Sequence, residues 1–237
     1  MSPQETPQNI PLFLYENERQ YVEDAIADRQ DVDSVIAIVE AAEGYAQSAR
    51  EQCLPPGTPP VACKEGCDWC CHQSVRVSAP EVFRIVRHIH SLPEARQAEL
   101  RARLGRLDAR VRGRSPQERG QLVAACAFLE GGGCSIYPVR PLVCQTMSSF
   151  SAHDCEQAMP RGFPAGSVHS EKVRHIVYGS IISGLCAGLE KALDPQRAAV
   201  LELTSAMVLA LNHEDAYAAW LAGQPVFEAA RLVQWST

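Results

Sequence analysis

Four cysteines fall within the nine positions from Cys63 to Cys71, in the stretch ACKEGCDWCCHQ at residues 62–73, and this constrains the chain more than any other feature. Thiols that close together call for a metal, and the rest of the chain must supply the remaining ligands. A second group, Cys126, Cys134, Cys144 and Cys155, follows in an irregular segment rich in glycine and proline. C-x2-C spacing lets two thiolates reach one ion from a single tight turn, and Gly66 gives that turn its backbone freedom. Thiolates select zinc, copper(I) or iron–sulfur clusters over magnesium or calcium. Neighbouring side chains usually diverge, so the Cys70–Cys71 doublet suits two separate metals, or one ligand beside a sulfur that bridges, packs or reacts.

The chain has 237 residues, 46% of them hydrophobic, and can bury a core without a metal or disulfides to make it globular. The N-terminus, MSPQETPQNIPLFLYENERQ, lacks a basic region followed by an apolar one, and no apolar run approaches the ~20 residues that cross a bilayer. The expectation is a cytoplasmic protein, with no membrane partner. In that reducing setting ten cysteines are not expected to form five disulfides. A formal charge of −6 argues against general binding to nucleic acid.

Helical periodicity dominates the rest, and the fold class expected is mostly α: a helical domain with an irregular, metal-stapled, cysteine-rich loop region. Residues 1–16 read as a flexible N-terminal arm, and residues 17–237 as one domain with its cysteine core at about 60–160. DSVIAIVEAAEGYAQSAREQC places Val35, Ile36, Ile38, Val39, Ala42 and Tyr45 on one face, with Asp33 as the N-cap. Ser78 with Glu81, and Ser115 with Glu118, have the form of capping boxes. Leu100, Leu104, Leu107 and Val111 make the stripe of a further helix. Asp194 with Pro195 is expected to start a helix through AAVLELTSAMVLAL, and AYAAWLAG and FEAARLV to add short ones.

Residues 84–119 hold ten of the nineteen arginines, but Glu94, Glu99, Asp108 and Glu118 are interleaved. Ion pairs on a solvated helix account for this better than a phosphate-tracking face. His88 and His90 point about 200° apart on a helix and make no chelate. Cys53 and Cys186 read as small buried hydrophobes. His72 and His153, near cysteines, read as solvated or supporting groups. Arg140 lies between two candidate ligands, where it either offsets thiolate charge or organises the loop through a salt bridge.

ACKEGCDWCCHQSVRVSAPEVFRI followed by CAFLEGGGCSIYPVRPLVCQTMSSFSAHDCE resembles the YkgJ-like cysteine-cluster family, a zinc- or iron-chelating group named for its CxxCxxCC core. The resemblance covers about residues 60–160. It implies as metal ligands Cys63, Cys67, Cys70, Cys71, Cys126, Cys134, Cys144 and Cys155. The first spacing here is C-x3-C, and Gln145 stands where an arginine commonly follows the cysteine.

Eight thiolates can form two four-cysteine zinc sites, one iron–sulfur cluster with spare cysteines, or two clusters. The flagellin lysine methylases, related to this family, carry a cysteine-ligated cluster in a similar domain, so the resemblance tips the cofactor toward an iron–sulfur cluster or iron, with zinc the alternative. Three roles stay open: a metal-binding protein; an iron-dependent redox or protein-modifying enzyme; a zinc-stapled interaction module or metal store. The partner, protein or small molecule, is not specified by the sequence, and neither is a catalytic residue.

Overall fold

A computed structural model describes residues 9–27, 31–64 and 66–232. The chain is mostly helical, and its helices gather around two hydrophobic clusters. Helix α1 spans Ile10–Ala27 and α2 spans Val32–Cys53. Helix α1 thus begins six residues before Glu16, inside the segment read as an arm; the first eight positions lie outside the described residues. The N-cap of α2 is Asp31, whose carboxylate accepts from the Ser34 amide at 2.9 Å. It displaces the expected Asp33, which lies in the first turn and pairs with Arg87.

After the proline-rich loop and a 3-10 turn at Trp69–His72, the short strand β1 (Arg76–Val77) leads into α3 (Ala79–His90). Helix α4 (Glu94–Val111) buries Leu100, Leu104, Leu107 and Val111, the expected stripe. The six-residue α5 (Pro116–Gln121) opens with a capping box: the Ser115 amide donates to Glu118, and the Glu118 amide to the Ser115 hydroxyl. Strands β2 (Leu129–Glu130) and β3 (Gly133–Cys134) form a hairpin closed by Gly131 and Gly132, both at positive φ, as the tight hairpin turn requires. Short α6 (Leu142–Thr146) and α7 (Ala152–Ala158) follow, so residues 126–166 hold no long element.

Helix α8 (Lys172–Ala192) runs along α1 so closely that Gly184 and Gly188 are needed. A Cβ at Gly184 would lie 2.5 Å from the Tyr15 carbonyl oxygen, and one at Gly188 2.7 Å from that of Arg19. The helix expected from Asp194 does not form. Asp194 instead caps a turn, accepting from the amides of Gln196 and Arg197, and β4 (Leu201–Glu202) pairs antiparallel with β1. Helix α9 (Leu203–Asn212) starts only there, its first turn capped by Glu202. The pairing is with residues more than a hundred positions earlier, which local sequence does not announce. Helix α10 (Ala216–Leu221) follows, and the expected helix at FEAARLV shrinks to a 3-10 turn at Glu228–Ala230.

One cluster joins α3, α4, α9 and α10, with Phe83 edge-on to Tyr217 and Trp220. The other joins α1, α2 and α8. Helix α2 serves both: Val35 and Ile36 face the first, Ile38, Ala42 and Ala46 the second. Among the described residues, no helix is long and apolar enough to cross a membrane.

Candidate metal centre

The cysteine segment is tied to the helical frame through its backbone. The Ala62 amide donates to the Ser149 carbonyl at 2.7 Å, and the Cys126 amide to the Cys71 carbonyl at 2.8 Å. The first tie brings the start of the early cluster to the loop ahead of α7, and the second brings the doublet to the start of the late cluster. The amide at the N-terminus of α6, from Leu142, donates to the buried Glu81 carboxylate of α3 at 2.9 Å. Gly66 and Gly132 face each other, with the Gly66 backbone within van der Waals reach of a Cβ at Gly132. Four links thus fold two distant stretches onto one another.

All ten cysteines are free thiols. Cys63, exposed, accepts from the Ser149 amide at 3.3 Å. Burial raises the Cys67 thiol above its ordinary value, and the Cys63 and Cys70 sulfurs nearby add to it. Burial also raises Cys155, against a hydrogen bond with Ser149, with Cys63, Cys67 and Cys70 as neighbours. Cys126 is pushed up to about 11 by burial, with Cys134 beside it. Cys144, on α6, is raised well above its ordinary value by the same cause, and Cys126, Cys70 and Cys134 all contribute. The Cys70 thiol is raised by its hydrogen bond with Cys71 and then by burial.

Positive groups and amides are aimed at these sulfurs. The Trp69, Phe128 and Ile136 amides, each two residues past a cysteine, favour the thiolates of Cys67, Cys126 and Cys134. Arg140 acts in the same direction on Cys70 and Cys134, and Arg119 on Cys126. Among the described residues the Arg140 guanidinium makes no carboxylate pair; its Cζ sits 4.0 Å over the Tyr137 ring. Of its two expected roles, the structure supports the charge-offsetting one. Arg119 is 4% exposed and has a buried Nε without a hydrogen-bond partner. Sequence reasoning missed Ser149, Arg119 and the reach of Glu81. Only Glu81 left a signal, its place in a capping box.

The remaining candidates separate from the site. His72 Nδ1 lies 3.3 Å from the Trp69 carbonyl, and the exposed His153 faces Glu156. Cys53 packs against the second cluster. Cys186 lies within α8, pushed up to about 12 by burial. The arginines of residues 84–119 are largely engaged: Arg84 with Glu43, Arg87 with Asp33 and Glu40, Arg96 and Arg103 with Glu130, and Arg112 with Asp108.

Residues 62–161 match the model of the CxxCxxCC family, described as "Putative zinc- or iron-chelating domain". That stretch of the chain is similar to the CxxCxxCC domain. No curated protein and no solved structure matches the chain. The matched stretch contains all eight clustered cysteines and neither Cys53 nor Cys186.

The donor chemistry of residues 62–161 suits a thiophilic metal: buried thiols, amides directed at sulfur and arginines nearby. A bound cation reverses the effect of burial, because a coordinating thiol is deprotonated. Among the described residues, however, no three His, Cys, Asp or Glu side chains lie close enough together to hold one ion. The expected metal staple is therefore not visible as a donor cage. In this arrangement the loops are held by the backbone ties and by Glu81, and ligation requires the sulfurs to draw closer.

Proposed function

We propose that the CxxCxxCC domain holds metal through Cys63, Cys67, Cys70, Cys71, Cys126, Cys134, Cys144 and Cys155, and that its native cofactor is an iron–sulfur cluster. The supporting observation is the surroundings of the sulfurs: backbone amides directed at Cys63, Cys67, Cys126 and Cys134, with arginine charge at Cys70, Cys126 and Cys134. Hydrogen bonds to sulfur and local charge are what set the potential of such a cluster. Zinc is the second reading, since an all-thiolate set also makes a closed structural zinc site.

When bound, the metal supplies redox or structural chemistry. The chain's own residues position it: Glu81 fixes the helix that carries Cys144, Ser149 presents its amide to Cys63, and Arg140 and Arg119 balance thiolate charge. The protein works in the cytoplasm on a protein or small-molecule partner. Whether the site also catalyses depends on which metal is bound, because a cluster transfers electrons and closed zinc does not.

Protein purified without oxygen, with iron, zinc and acid-labile sulfide measured on one sample and a visible spectrum recorded, tests this reading. Matched iron and sulfide with broad absorption near ~400 nm is the expected result for a thiolate-ligated cluster. Colourless protein with about two zinc ions moves the assignment to paired four-cysteine sites. Protein that takes up neither metal overturns it.

A further inference from the structure

Where α2, α6 and α8 meet, arginine charge exceeds carboxylate charge. Arg50 of α2 donates through Nε and Nη2 to the two carboxylate oxygens of Glu171, at 2.6 and 2.7 Å. Glu171 is 2% exposed, and its bonds from Arg50 hold its carboxyl below the usual carboxylate range, so it stays ionised. One guanidinium fork thus fills one carboxylate. Arg174, in the first turn of α8, approaches the same carboxylate only to 3.8 Å, outside hydrogen-bond reach. Its Nη1 donates to the Gln145 carbonyl of α6 at 3.1 Å, and its Nε is buried without a hydrogen-bond partner. Elsewhere on α2, Glu43 pairs with Arg84, Glu40 pairs with Arg87, and the exposed Glu51 accepts from Gln47. Arg50 and Arg174 therefore share a single carboxylate, and a positive charge is left over at Arg174.

We propose that Arg174 and Arg50 together form a binding site for phosphate, free or as the phosphate group of a small ester. The nitrogens left for a ligand are Arg174 Nη2 and Arg50 Nη1, one from each guanidinium. The two forks are separate, tied to each other only through Glu171. The two oxygens of a carboxylate accept best in one plane, whereas phosphate oxygens point in tetrahedral directions and can accept from both forks. The Arg50 and Arg174 side chains are 20% and 17% exposed, so a ligand reaches them from solvent and binds where water screens its charge less than at an open surface. Tyr178, one turn after Arg174, backs the site: it is 4% exposed, and its ring centroid lies 5.9 Å from the Arg174 Cζ. The residue whose carbonyl Arg174 holds directly follows Cys144, which places the bound phosphate beside the cysteine segment.

The site uses no cysteine, and the proposal stands apart from metal binding. Titration calorimetry of the full chain with sodium phosphate, at ionic strength held constant with sodium chloride, tests it. Saturable binding at a single site per chain is expected, with sodium acetate binding far more weakly. Arg174→Gln is expected to weaken phosphate binding roughly 10-fold or more, the usual effect of losing a hydrogen bond to a charged group. Arg174→Lys, which keeps the charge and loses the fork, is expected to fall between, and it decides the matter if the glutamine variant does not fold by its far-ultraviolet spectrum. Arg106→Gln, at an exposed position of α4, controls for diffuse charge and is expected to bind as wild type does. Glycerol phosphate separates the two sources: tighter binding than inorganic phosphate assigns the site to a phosphorylated small molecule, and equal or weaker binding assigns it to the free ion. Wild-type protein without saturable phosphate binding, or with acetate bound as tightly, overturns the proposal. So do folded Arg174 variants that bind as wild type does, or an Arg106→Gln protein weakened as much as they are.

Discussion

The Glu81 carboxylate of α3 accepts the amide proton of Leu142, 61 residues further on, at 2.9 Å, while its other oxygen accepts from the Ser78 amide at 2.7 Å. One buried side chain thus closes the start of α3 and fixes the start of the helix that carries Cys144. Glu81→Ala leaves both amides without their acceptor. At about 1–3 kcal/mol for each stranded buried group, the loss of stability is expected to be roughly 2–6 kcal/mol. Urea unfolding measures it. Glu81→Gln, which keeps a carbonyl acceptor, is expected to lose less, and an alanine variant as stable as wild type would show that the tie contributes nothing.

Gly184 and Gly188 let α1 and α8 touch backbone to side chain. Gly184→Ala places a methyl group 2.5 Å from the Tyr15 carbonyl oxygen, so the helices must separate. Alanine gains up to ~1 kcal/mol in helix propensity, but overpacking costs typically ~1–3 kcal/mol and here meets backbone, which cannot rotate away. A lower melting temperature for both single variants is expected. Gly179→Ala, whose Cβ meets nothing within 4 Å, is the control and is expected to be neutral or stabilising.

Glu18 is buried between these helices, with an Oε1 that has no hydrogen-bond partner, and burial raises its pKa from 4.5 to about 7. The folded state therefore holds the proton more tightly than the unfolded chain between those values. Stability is fullest below pH 4.5 for this group and falls as pH rises toward 7, by about 3 kcal/mol at ~1.4 kcal/mol per pH unit. Unfolding of Glu18→Gln at pH 5 and pH 8 checks this. Its stability is expected to exceed that of wild type at pH 8 and to approach it at pH 5.

How much of this was legible in the sequence differs by element. The stripe Leu100, Leu104, Leu107 and Val111 is a local pattern, and the buried face of α4 follows it. Asp31 and Asp33 are both acceptable caps, and the pattern alone does not choose between them. At Asp194 the local signal was real, but pairing of β4 with β1 took the backbone groups that a continuous helix would have used. The identity of the candidate ligands was plain from spacing. How the loops meet was not, because Cys63 is tied to the loop ahead of α7 by hydrogen bonds at Ser149, a residue with no pattern to mark it. Arg119 was similarly hidden in a run of arginines that otherwise form ion pairs.

Arg140 stands over Tyr137 and favours the thiolates of Cys70 and Cys134. Arg140→Gln removes that charge, and metal affinity is expected to fall by roughly 10-fold to 100-fold, the usual cost of losing a supporting group around a metal. Arg140→Lys keeps the charge and is expected to recover part of it. A chelator competition assay reads both. Equal affinities in all three proteins would return Arg140 to a role in loop shape alone.

The central claim is that the clustered cysteines, and not the two others, hold the metal. Metal content of full-length Cys67→Ala, Cys70→Ala and Cys186→Ala, purified in parallel without oxygen, tests it most directly. Wild-type content is expected in Cys186→Ala, and a loss of metal in the other two. Equal content in all three variants and the wild type would contradict it.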